Sequence, residues 1–219
     1  MTKLVIFGAG DIARLAHFYF TRDSEYEVAA FTVDKQYRQS DVFQELPLLD
    51  FETVTDHYPP STYKMFVALS YANMNKVRAE KYYLAKESGY KLVSYISSKC
   101  TNLTEFPLGD NCFILEDNTI QPFVKIGNNV TLWSGNHIGH DSVIEDHCFI
   151  ASHIVVSGHV HIAQYCFIGV NATLRNSIAI APETLIGAGA VIMKDTVEKG
   201  VYLARGATLY NLKSDEVEL

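Results

Sequence analysis

The chain has 219 residues, of which 48% are hydrophobic, and a formal net charge of −7 at pH 7. This length suffices for two modest domains or one large one. The acidic balance argues against nucleic acid or an anionic membrane surface as the main partner, and no segment approaches the ~20 apolar residues of a membrane span. The N-terminus lacks the basic, apolar and cleavage regions of a signal peptide, so we expect a cytoplasmic protein.

The first part of the chain, residues 1–97, alternates short apolar runs with amphipathic segments. The pattern predicts strands at 3–7, 28–33, 65–69 and 92–96 and helices at 11–21 and 73–88, with a polar, irregular stretch at 35–62. Strand–helix–strand alternation is typical of a small parallel sheet. We therefore expect an α/β, Rossmann-like domain at 1–97.

A glycine pair follows the first predicted strand, in the sequence Gly8-Ala9-Gly10. This is half of a dinucleotide-binding fingerprint, because the third glycine is absent. The loop amides and the next helix N-terminus can hold phosphate, and an acid after the second strand fits a ribose contact. A tight turn that binds nothing is the alternative. We expect a nucleotide or nucleotide-sugar here rather than NAD, contacted by Gly8, Gly10, Asp11, Asp34 and Lys35.

The second part of the chain has an aliphatic residue at every sixth position. The series is Leu108, Ile114, Ile120, Ile126, Leu132, Ile138, Ile144, Ile150, Val156, Ile162, Ile168, Leu174, Ile180, Ile186 and Ile192. A helix repeats at about 3.6 residues and a strand at about 2, so neither produces this period. Stacked coils of three short strands do, with residues one coil apart separated by about 4.8 Å. We expect a parallel β-helix at 98–219.

Cysteines and histidines in the coil invite a disulfide or a metal site. Three of the four cysteines, Cys112, Cys148 and Cys166, fall on the small interior position of the repeat, which favours reduced core thiols. Six of the eight histidines lie between residues 137 and 161, but their spacing matches no zinc motif. We expect no metal.

An α/β domain followed by a hexapeptide coil resembles the nucleotide-sugar acyltransferases typified by the bacillosamine-pathway N-acetyltransferase PglD and the related sialic-acid O-acetyltransferases NeuD. The most specific stretches are residues 138–144, IGHDSVI, and 166–172, CFIGVNA. The resemblance implies a left-handed coil, a homotrimer, acetyl-CoA in a cleft between neighbouring coils, and a nucleotide-linked amino sugar held by the N-terminal domain. It requires no metal.

His140 matches the family's general base, and Asp141 follows where members typically carry Glu. An amine that attacks a thioester must lose a proton, and imidazole accepts one efficiently near neutral pH. A carboxylate partner fixes the ring's tautomer. Because Asp reaches less far than Glu, Glu116, Asp117 and Asp146 stay open as orienting acids, and a surface histidine is the alternative for His140 itself.

Gly158 follows His140 by one coil, so its N–H is expected near the base, where it could bind the thioester carbonyl and the developing oxyanion. The resemblance extends the coenzyme site along what we expect to be the same edge, where Gly169, Ala188, Gly189 and Ile192 would line the pantetheine. Arg205 and Lys194 are expected to contact its phosphates or adenine, and a solvated surface lysine is the alternative for Lys194. Phe149 stands where the family often has a second histidine, which leaves the sugar uncertain.

The leading hypothesis is an acetyl-CoA-dependent N-acetyltransferase of surface glycan biosynthesis, acting on a nucleotide-linked amino-deoxy sugar, first of all a UDP-4-amino-4,6-dideoxy sugar. A sugar O-acetyltransferase and a GDP- or dTDP-amino sugar N-acetyltransferase stay open. A non-catalytic trimeric scaffold is disfavoured by the His140-Asp141 pair. An NAD-linked enzyme is disfavoured by the incomplete glycine motif.

Overall fold

A computed structural model describes residues 2–209, 211 and 213–217. The N-terminal elements are β1 (Thr2–Phe7), α1 (Asp11–Arg22), β2 (Tyr26–Val33), β3 (Val42–Phe43), β4 (Leu46–Asp50), α2 (Val54–His57), β5 (Tyr63–Val67) and α3 (Lys76–Glu87). Single 3-10 turns lie at Lys35–Tyr37, Phe51–Thr53 and Ser214–Glu216. Among the described residues, no helix has the length and apolar character needed to cross a membrane.

The N-terminal sheet has the strand order β3-β4-β2-β1-β5, and every pairing except the β3–β4 hairpin is parallel. Strand β1, which lies between β2 and β5, is buried on both faces from Leu4 to Phe7, as its continuous apolar run requires. Leu4 and Ile6 pack on the α1 side of the sheet, whereas Val5 and Phe7 pack on the α3 side. The predicted strand–helix–strand unit is therefore present at β1, α1 and β2.

Three local predictions in this domain differ from the structure. The stretch 35–62 is not irregular, because β4 adds a parallel strand beside β2. Helix α3 begins at Lys76, since Asn73, Met74 and Asn75 all have positive φ and cannot continue a right-handed helix. Leu92 makes only an isolated bridge to β5.

The second part of the chain is a coil with three faces of parallel two-residue strands. The seven-stranded face contains β6 (Tyr95–Ile96), β8 (Phe113–Ile114), β11 (Thr131–Leu132), β14 (Phe149–Ile150), β17 (Phe167–Ile168), β20 (Leu185–Ile186) and β22 (Val201–Tyr202). The six-stranded face contains β7 (Thr101–Asn102), β9 (Thr119–Ile120), β12 (His137–Ile138), β15 (Val155–Val156), β18 (Thr173–Leu174) and β21 (Val191–Ile192). The four-stranded face contains β10 (Lys125–Ile126), β13 (Val143–Ile144), β16 (His161–Ile162) and β19 (Ala179–Ile180).

Successive rungs pair with a register of eighteen residues, for example Ile138 with Val156 and Leu132 with Ile150. The inward aliphatic of each strand from Ile114 to Ile192 lies in one continuous core. The predicted parallel β-helix is confirmed, and its left-handed sense stays a prediction. All four cysteines are free thiols, as expected.

The coil begins earlier than the sequence predicts. Strand β6 pairs with β8 although it precedes the predicted domain boundary at 97/98, so the first rung starts at Tyr95. At the other end, Leu185 pairs with Val201, sixteen residues away, which makes the last coil two residues short. The predicted limit at 219 lies outside the described residues.

Three corners connect the faces. The first corner joins the seven- to the six-stranded face, at turns 115–118, 133–136, 151–154, 169–172 and 187–190. The second corner joins the six- to the four-stranded face, at turns 121–124, 139–142, 157–160 and 175–178. The third corner joins the four- to the seven-stranded face, at turns 109–112, 127–130, 145–148, 163–166 and 181–184.

The N-terminal domain packs against the seven-stranded face and the third corner. The buried guanidinium of Arg78 on α3 donates to the carbonyl oxygens of Asn111 and Asn129, both at 2.8 Å, and to Thr131 Oγ1 at 2.7 Å. Lys76 Nζ pairs with Glu183 Oε2 at 2.6 Å further down the same corner. The second corner is the edge of the prism opposite this docked face.

Candidate functional site at the second corner

His140 lies in the turn that follows β12, at the second corner. Its backbone N–H donates to Gln121 Oε1 on the rung above at 2.9 Å, and its carbonyl accepts from the His159 N–H on the rung below at 2.9 Å. Asp141 follows with φ of 57°, a left-handed conformation that Asp tolerates better than most residues. The backbone at this corner therefore fixes both residues from above and below.

The His140 and Asp141 side chains are directly paired. His140 Nδ1 lies 2.8 Å from Asp141 Oδ2, and the two side chains are 52% and 41% exposed. Because a carboxylate can only accept, Nδ1 carries the hydrogen and the neutral ring presents its lone pair at Nε2. The pair thus holds an exposed imidazole in the tautomer that a general base needs.

The basic nitrogen of His140 faces Gly158. A Cβ added to Gly158 would lie 2.7 Å from His140 Nε2, so only glycine leaves room for the ring here. Within the described part of the chain, the Gly158 N–H has no hydrogen-bond acceptor. A proton acceptor and a free backbone donor are therefore adjacent, as predicted from their spacing of one coil.

The other acids that the sequence left open lie at other corners, and two of them accept hydrogen bonds there. Glu116, at the first corner, accepts from Tyr19 Oη at 2.9 Å and from Ser134 Oγ at 2.7 Å. Asp146, at the third corner, accepts from the Asn128 N–H at 2.7 Å. Asp117 belongs to the first corner as well. Asp141 is the acid that contacts His140.

The predicted coenzyme residues do not share one edge of the chain. Lys194 continues the second corner, three rungs below His140. Gly169, Ala188 and Gly189 lie at the first corner instead, because eleven residues from Gly158 to Gly169 are not a whole coil.

Two further coenzyme predictions concern the end of the coil. The Ile192 side chain points into the core and is 6% exposed, so only its backbone is left to line a coenzyme, and that role stays a prediction. Arg205 lies in the exposed segment after β22.

Phe149, which stands where the family often has a second histidine, is buried. The ring centroids of Tyr71 and Phe167 lie 4.9 and 5.6 Å from that of Phe149, so Phe149 has a structural role in this chain.

The predicted nucleotide residues gather partly around a second site. A cleft of about 600 Å³ opens at the carboxyl ends of β1, β2 and β5, and its lining includes Gly8, Gly10 and Asp34. Gly8 has φ of 130°, and a Cβ there would lie 2.6 Å from the Ala68 carbonyl oxygen, so this turn requires glycine. Gly10 leaves open space beside it and precedes the unpaired N–H groups of α1.

Two predicted residues stand outside this cleft lining. Asp11 pairs with Arg14 at 3.2 Å on the exposed face of α1. The backbone N–H of Lys35 donates to the Glu52 carboxylate at 3.1 Å.

Asp34 has a partner that the sequence did not reveal. Lys81 Nζ on α3 lies 2.9 Å from Asp34 Oδ2, and these side chains are only 14% and 13% exposed. Burial lowers the pKa of Lys81, but hydrogen bonds to Asp34 and Glu80 outweigh burial and raise it. The cleft lining therefore contains an ammonium group held between the carboxylates of Asp34 and Glu80.

Sequence reasoning also missed two side chains around His140. Gln121 binds the His140 N–H from the rung above. His159 lies one coil after Asp141, with its Nε2 at 3.8 Å from Asp141 Oδ2 and its ring centroid at 5.0 Å from that of His140. The spacing that located Gly158 also predicts His159, whereas Lys81 depends on how α3 packs and has no such signal.

Comparisons with known proteins agree with this architecture, which is that of a hexapeptide-repeat coil with an α/β N-terminal domain. A family pattern described as bacterial transferase hexapeptide (six repeats) matches residues 108–140. The acyl-[acyl-carrier-protein]–UDP-N-acetylglucosamine O-acyltransferases of Stutzerimonas stutzeri and Pseudomonas aeruginosa are 29% identical over 99 residues. That match spans 42% of this chain and 38% of each relative.

Solved structures cover nearly the whole chain. PerB from Caulobacter crescentus, in complex with CoA and GDP-perosamine, superposes with a TM-score of 0.81 and 21% identity, over 92% of this chain and 94% of PerB. The acetyltransferase domain of PglB from Neisseria gonorrhoeae superposes with a TM-score of 0.79 and 18% identity, over 93% of this chain and 97% of the PglB domain. WeeI from Acinetobacter baumannii superposes with a TM-score of 0.75 and 19% identity, over 92% of this chain and 94% of WeeI. The predicted resemblance is thereby confirmed at the level of the fold.

Proposed function

We propose that this chain is an acetyl-CoA-dependent N-acetyltransferase that acts on the amino group of a nucleotide-linked amino sugar in surface glycan biosynthesis. The proposal rests on the second corner, where His140 Nε2 lies against Gly158 and Asp141 holds Nδ1. The fold shared with PerB, which was solved with CoA and GDP-perosamine, supports the substrate class.

In this proposal the sugar amine attacks the thioester carbonyl carbon, and His140 Nε2 removes the proton that the nitrogen must lose. Asp141 stabilises the imidazolium that forms, as the acid does in a serine triad. The carbon–sulfur bond then breaks, the proton passes to the departing thiolate, and the products are the N-acetyl sugar and free CoA. No acyl-enzyme is required.

Gly158 supplies the electrophilic part of the site. Its N–H has no acceptor among the residues that the structure describes, so it can donate to the thioester carbonyl oxygen as negative charge develops there. The charge is then stabilised by a donor whose position the coil already fixes, and no reorganisation is needed during the reaction.

The two sites point to a homo-oligomer, which we propose is the trimer implied by the resemblance. The glycine cleft belongs to the domain docked on the seven-stranded face and third corner, whereas His140 lies on the opposite edge. Because the docked domain and His140 lie on opposite sides of the prism, we propose that one nucleotide-sugar does not bridge both sites within a protomer. A neighbouring protomer would bring its cleft to this corner.

A neighbouring coil also accounts for the split coenzyme residues. Gly169, Ala188 and Gly189 lie at the first corner and Lys194 lies at the second. If the first corner of one prism faces the second corner of another, both sets line a single cleft for the pantetheine, and Arg205 would reach the adenine end. We propose that acetyl-CoA binds there.

We propose that the N-terminal domain is a Rossmann-like nucleotide-sugar site. The glycine turn and the start of α1 would hold the diphosphate, assisted by the Lys81 charge, and Asp34 would share its carboxylate with a ribose hydroxyl. The UDP-4-amino-4,6-dideoxy sugar predicted from the sequence is one candidate, and GDP- and dTDP-amino sugars are the others.

The test is a coupled thiol-release assay with acetyl-CoA across UDP-, dTDP- and GDP-linked amino sugars. His140→Ala should lower turnover by about 10²- to 10⁴-fold and leave acetyl-CoA binding intact. His161→Ala is the matched control, because His161 also pairs with a carboxylate, Glu145 at 2.7 Å, but lies on the four-stranded face. Near-normal turnover in His140→Ala would rule out its role as base.

A sugar O-acyltransferase is the second candidate, because the curated relatives that match the coil transfer acyl groups to oxygen. The same base would deprotonate a hydroxyl. Assaying each amino sugar beside its hydroxy counterpart separates the two reactions, since only the preferred nucleophile should release thiol at low substrate concentration.

A further inference from the structure

Three potential metal ligands meet at the second corner. One nitrogen each from His140 and His159 and one oxygen from Asp141 all lie within 4.8 Å of one another. The closest pairs are His140 Nδ1 to Asp141 Oδ2 at 2.8 Å and His159 Nε2 to the same oxygen at 3.8 Å. His159 has no part in the acyl transfer derived above, so its presence beside the pair calls for a separate explanation.

We propose that His140, Asp141 and His159 form an inhibitory binding site for a divalent transition-metal ion, with Zn²⁺ as the best fit. Its inhibitory effect, though not its binding, rests on the proposed function. The absence of a zinc spacing motif in the sequence does not oppose it, because residues one coil apart become neighbours through the stacking of rungs.

The geometry needs only small side-chain movements. Tetrahedral Zn²⁺ with bonds of about 2.0 Å places its ligand atoms roughly 3.3 Å apart. Two of the three separations lie on either side of that value, at 2.8 and 3.8 Å, and the third is no more than 4.8 Å. The three side chains are between 41% and 59% exposed, so rotation about their χ angles is free of core packing.

The donor set selects for zinc over the lighter divalent ions. Two imidazole nitrogens and one carboxylate oxygen suit Zn²⁺, Cu²⁺ or Ni²⁺, whereas Mg²⁺ and Ca²⁺ prefer oxygen ligands alone. Three protein ligands leave a fourth position for water. The corner is exposed in the single chain, and in the proposed oligomer an ion would reach it through the cleft that admits acetyl-CoA.

Coordination at His140 would remove the base while leaving the Gly158 N–H and the lower rungs of the coenzyme cleft unchanged. A metal on Nδ1 takes the place of the hydrogen that Asp141 now accepts. The neutral ring must then carry its hydrogen on Nε2, the atom that faces Gly158. With its lone pair replaced by N–H, Nε2 can no longer take a proton from the amine, so transfer stops while acetyl-CoA still binds.

Binding is tested on the full chain after chelator treatment, by calorimetric titration with ZnCl₂ and by the visible absorption of added Co²⁺. The wild type should bind one ion per protomer at this corner. His159→Gln should weaken binding by more than about tenfold, since even outer-shell changes cost metal sites 10- to 100-fold. His161→Gln is the control, because His161 pairs with Glu145 but belongs to no three-ligand group among the described residues.

Inhibition is measured separately as the Zn²⁺ concentration that halves each variant's own thiol-release rate. That concentration should rise more than about tenfold in His159→Gln and stay unchanged in His161→Gln. EDTA should restore the thiol-release rate of the inhibited wild type. Equal Zn²⁺ affinity in the wild type and His159→Gln would overturn the proposal. If the protein binds Zn²⁺ at this corner but transfers no acyl group, the metal site is supported and the proposed function is refuted.

Discussion

The second and third corners share a backbone and differ in what covers them. Both are built from turns in which the third residue has positive φ, as at Asp141 and His159 in one and Asn129 and His147 in the other. Both stack side chains one coil apart. At the third corner the N-terminal domain covers the stack, whereas at the second corner the histidine side chains stay half exposed.

Burial turns the third corner into a structural ladder. Asn111 Nδ2 donates to Asn129 Oδ1 at 2.7 Å, and Asn129 Nδ2 donates to His147 Nδ1 at 2.9 Å. His147 Nε2 then carries the hydrogen and donates to Tyr83 Oη on α3, also at 2.9 Å. Because each polar atom has a partner, the ladder fixes the domain to the coil instead of offering a reactive group.

The same residue type therefore has two roles that depend on its rung and corner. His147 is 1% exposed and both of its nitrogens are bound within the protein. His140 is 52% exposed and keeps Nε2 directed at an open corner. Histidine content alone does not locate chemistry in a coil, whereas the corner on which a histidine falls does.

The largest expected effect is at the second corner, where Asp141→Asn should lower kcat by more than about 10³-fold. Asn tolerates the positive φ as well as Asp does, so the turn should survive. Its amide can donate to Nδ1 and hold the hydrogen on Nε2, which is the wrong tautomer. Thiol release measures the effect, and Glu145→Gln, at the partner of His161, is the control.

Next in size is Arg78→Met at the third corner, which should lower the free energy of unfolding by about 3 kcal/mol. Burial lowers the pKa of Arg78 to about 10, so the lost group is a cation at neutral pH. Its removal leaves the carbonyl oxygens of Asn111 and Asn129 without donors. Denaturant unfolding measures the change, and a loss no greater than that of the exposed Arg175→Met would contradict it.

Gly158→Ala should lower kcat/KM by about 10²-fold, because a displaced base loses alignment with the amine. The new Cβ would lie 2.7 Å from His140 Nε2, and the exposed ring can swing away without disturbing the core. The melting temperature should therefore hardly change. Asn176→Ala, one rung below at the same corner, is the matched control, and equal losses in both variants would argue against a specific contact.

The smallest expected effect is the pH dependence of the free energy of unfolding that His147 causes at the third corner. Burial, assisted by Arg78, lowers the pKa of His147 below its usual 6.5. The unfolded chain therefore binds a proton that the folded state refuses, and stability falls as pH drops below about 6.5. The wild type should lose more stability between pH 7.5 and 5.5 than His147→Gln does. Parallel stability–pH curves for the two proteins would refute this assignment.

The period of six predicted most of the coil because the core demands an aliphatic at each rung. It missed the first rungs since the position before Leu108 in the series is Asn102, an exposed polar residue. The shortened last coil, with Leu185 against Val201, also breaks the period. In the N-terminal domain, β4 was hidden by its polar neighbours, and its place depends on pairing with β2.

The site could be predicted where it depends on the eighteen-residue spacing of the coil. His140, Asp141 and Gly158 come together because one coil separates the base from the glycine. Gly169 was assigned to the wrong corner because its distance in sequence is not a whole coil. The Asp34–Lys81 pair depends on the packing of α3 against the sheet, which no local pattern encodes.

Below His140 the second corner continues for three rungs to Lys194, a length of roughly 14 Å at about 4.8 Å per rung. The rungs are evenly spaced, so under the proposed function the number of rungs below His140 would limit how far an acyl carrier can lie extended along the coil. Adding or removing one complete coil there would change that reach by a single step and leave the reacting groups as they are.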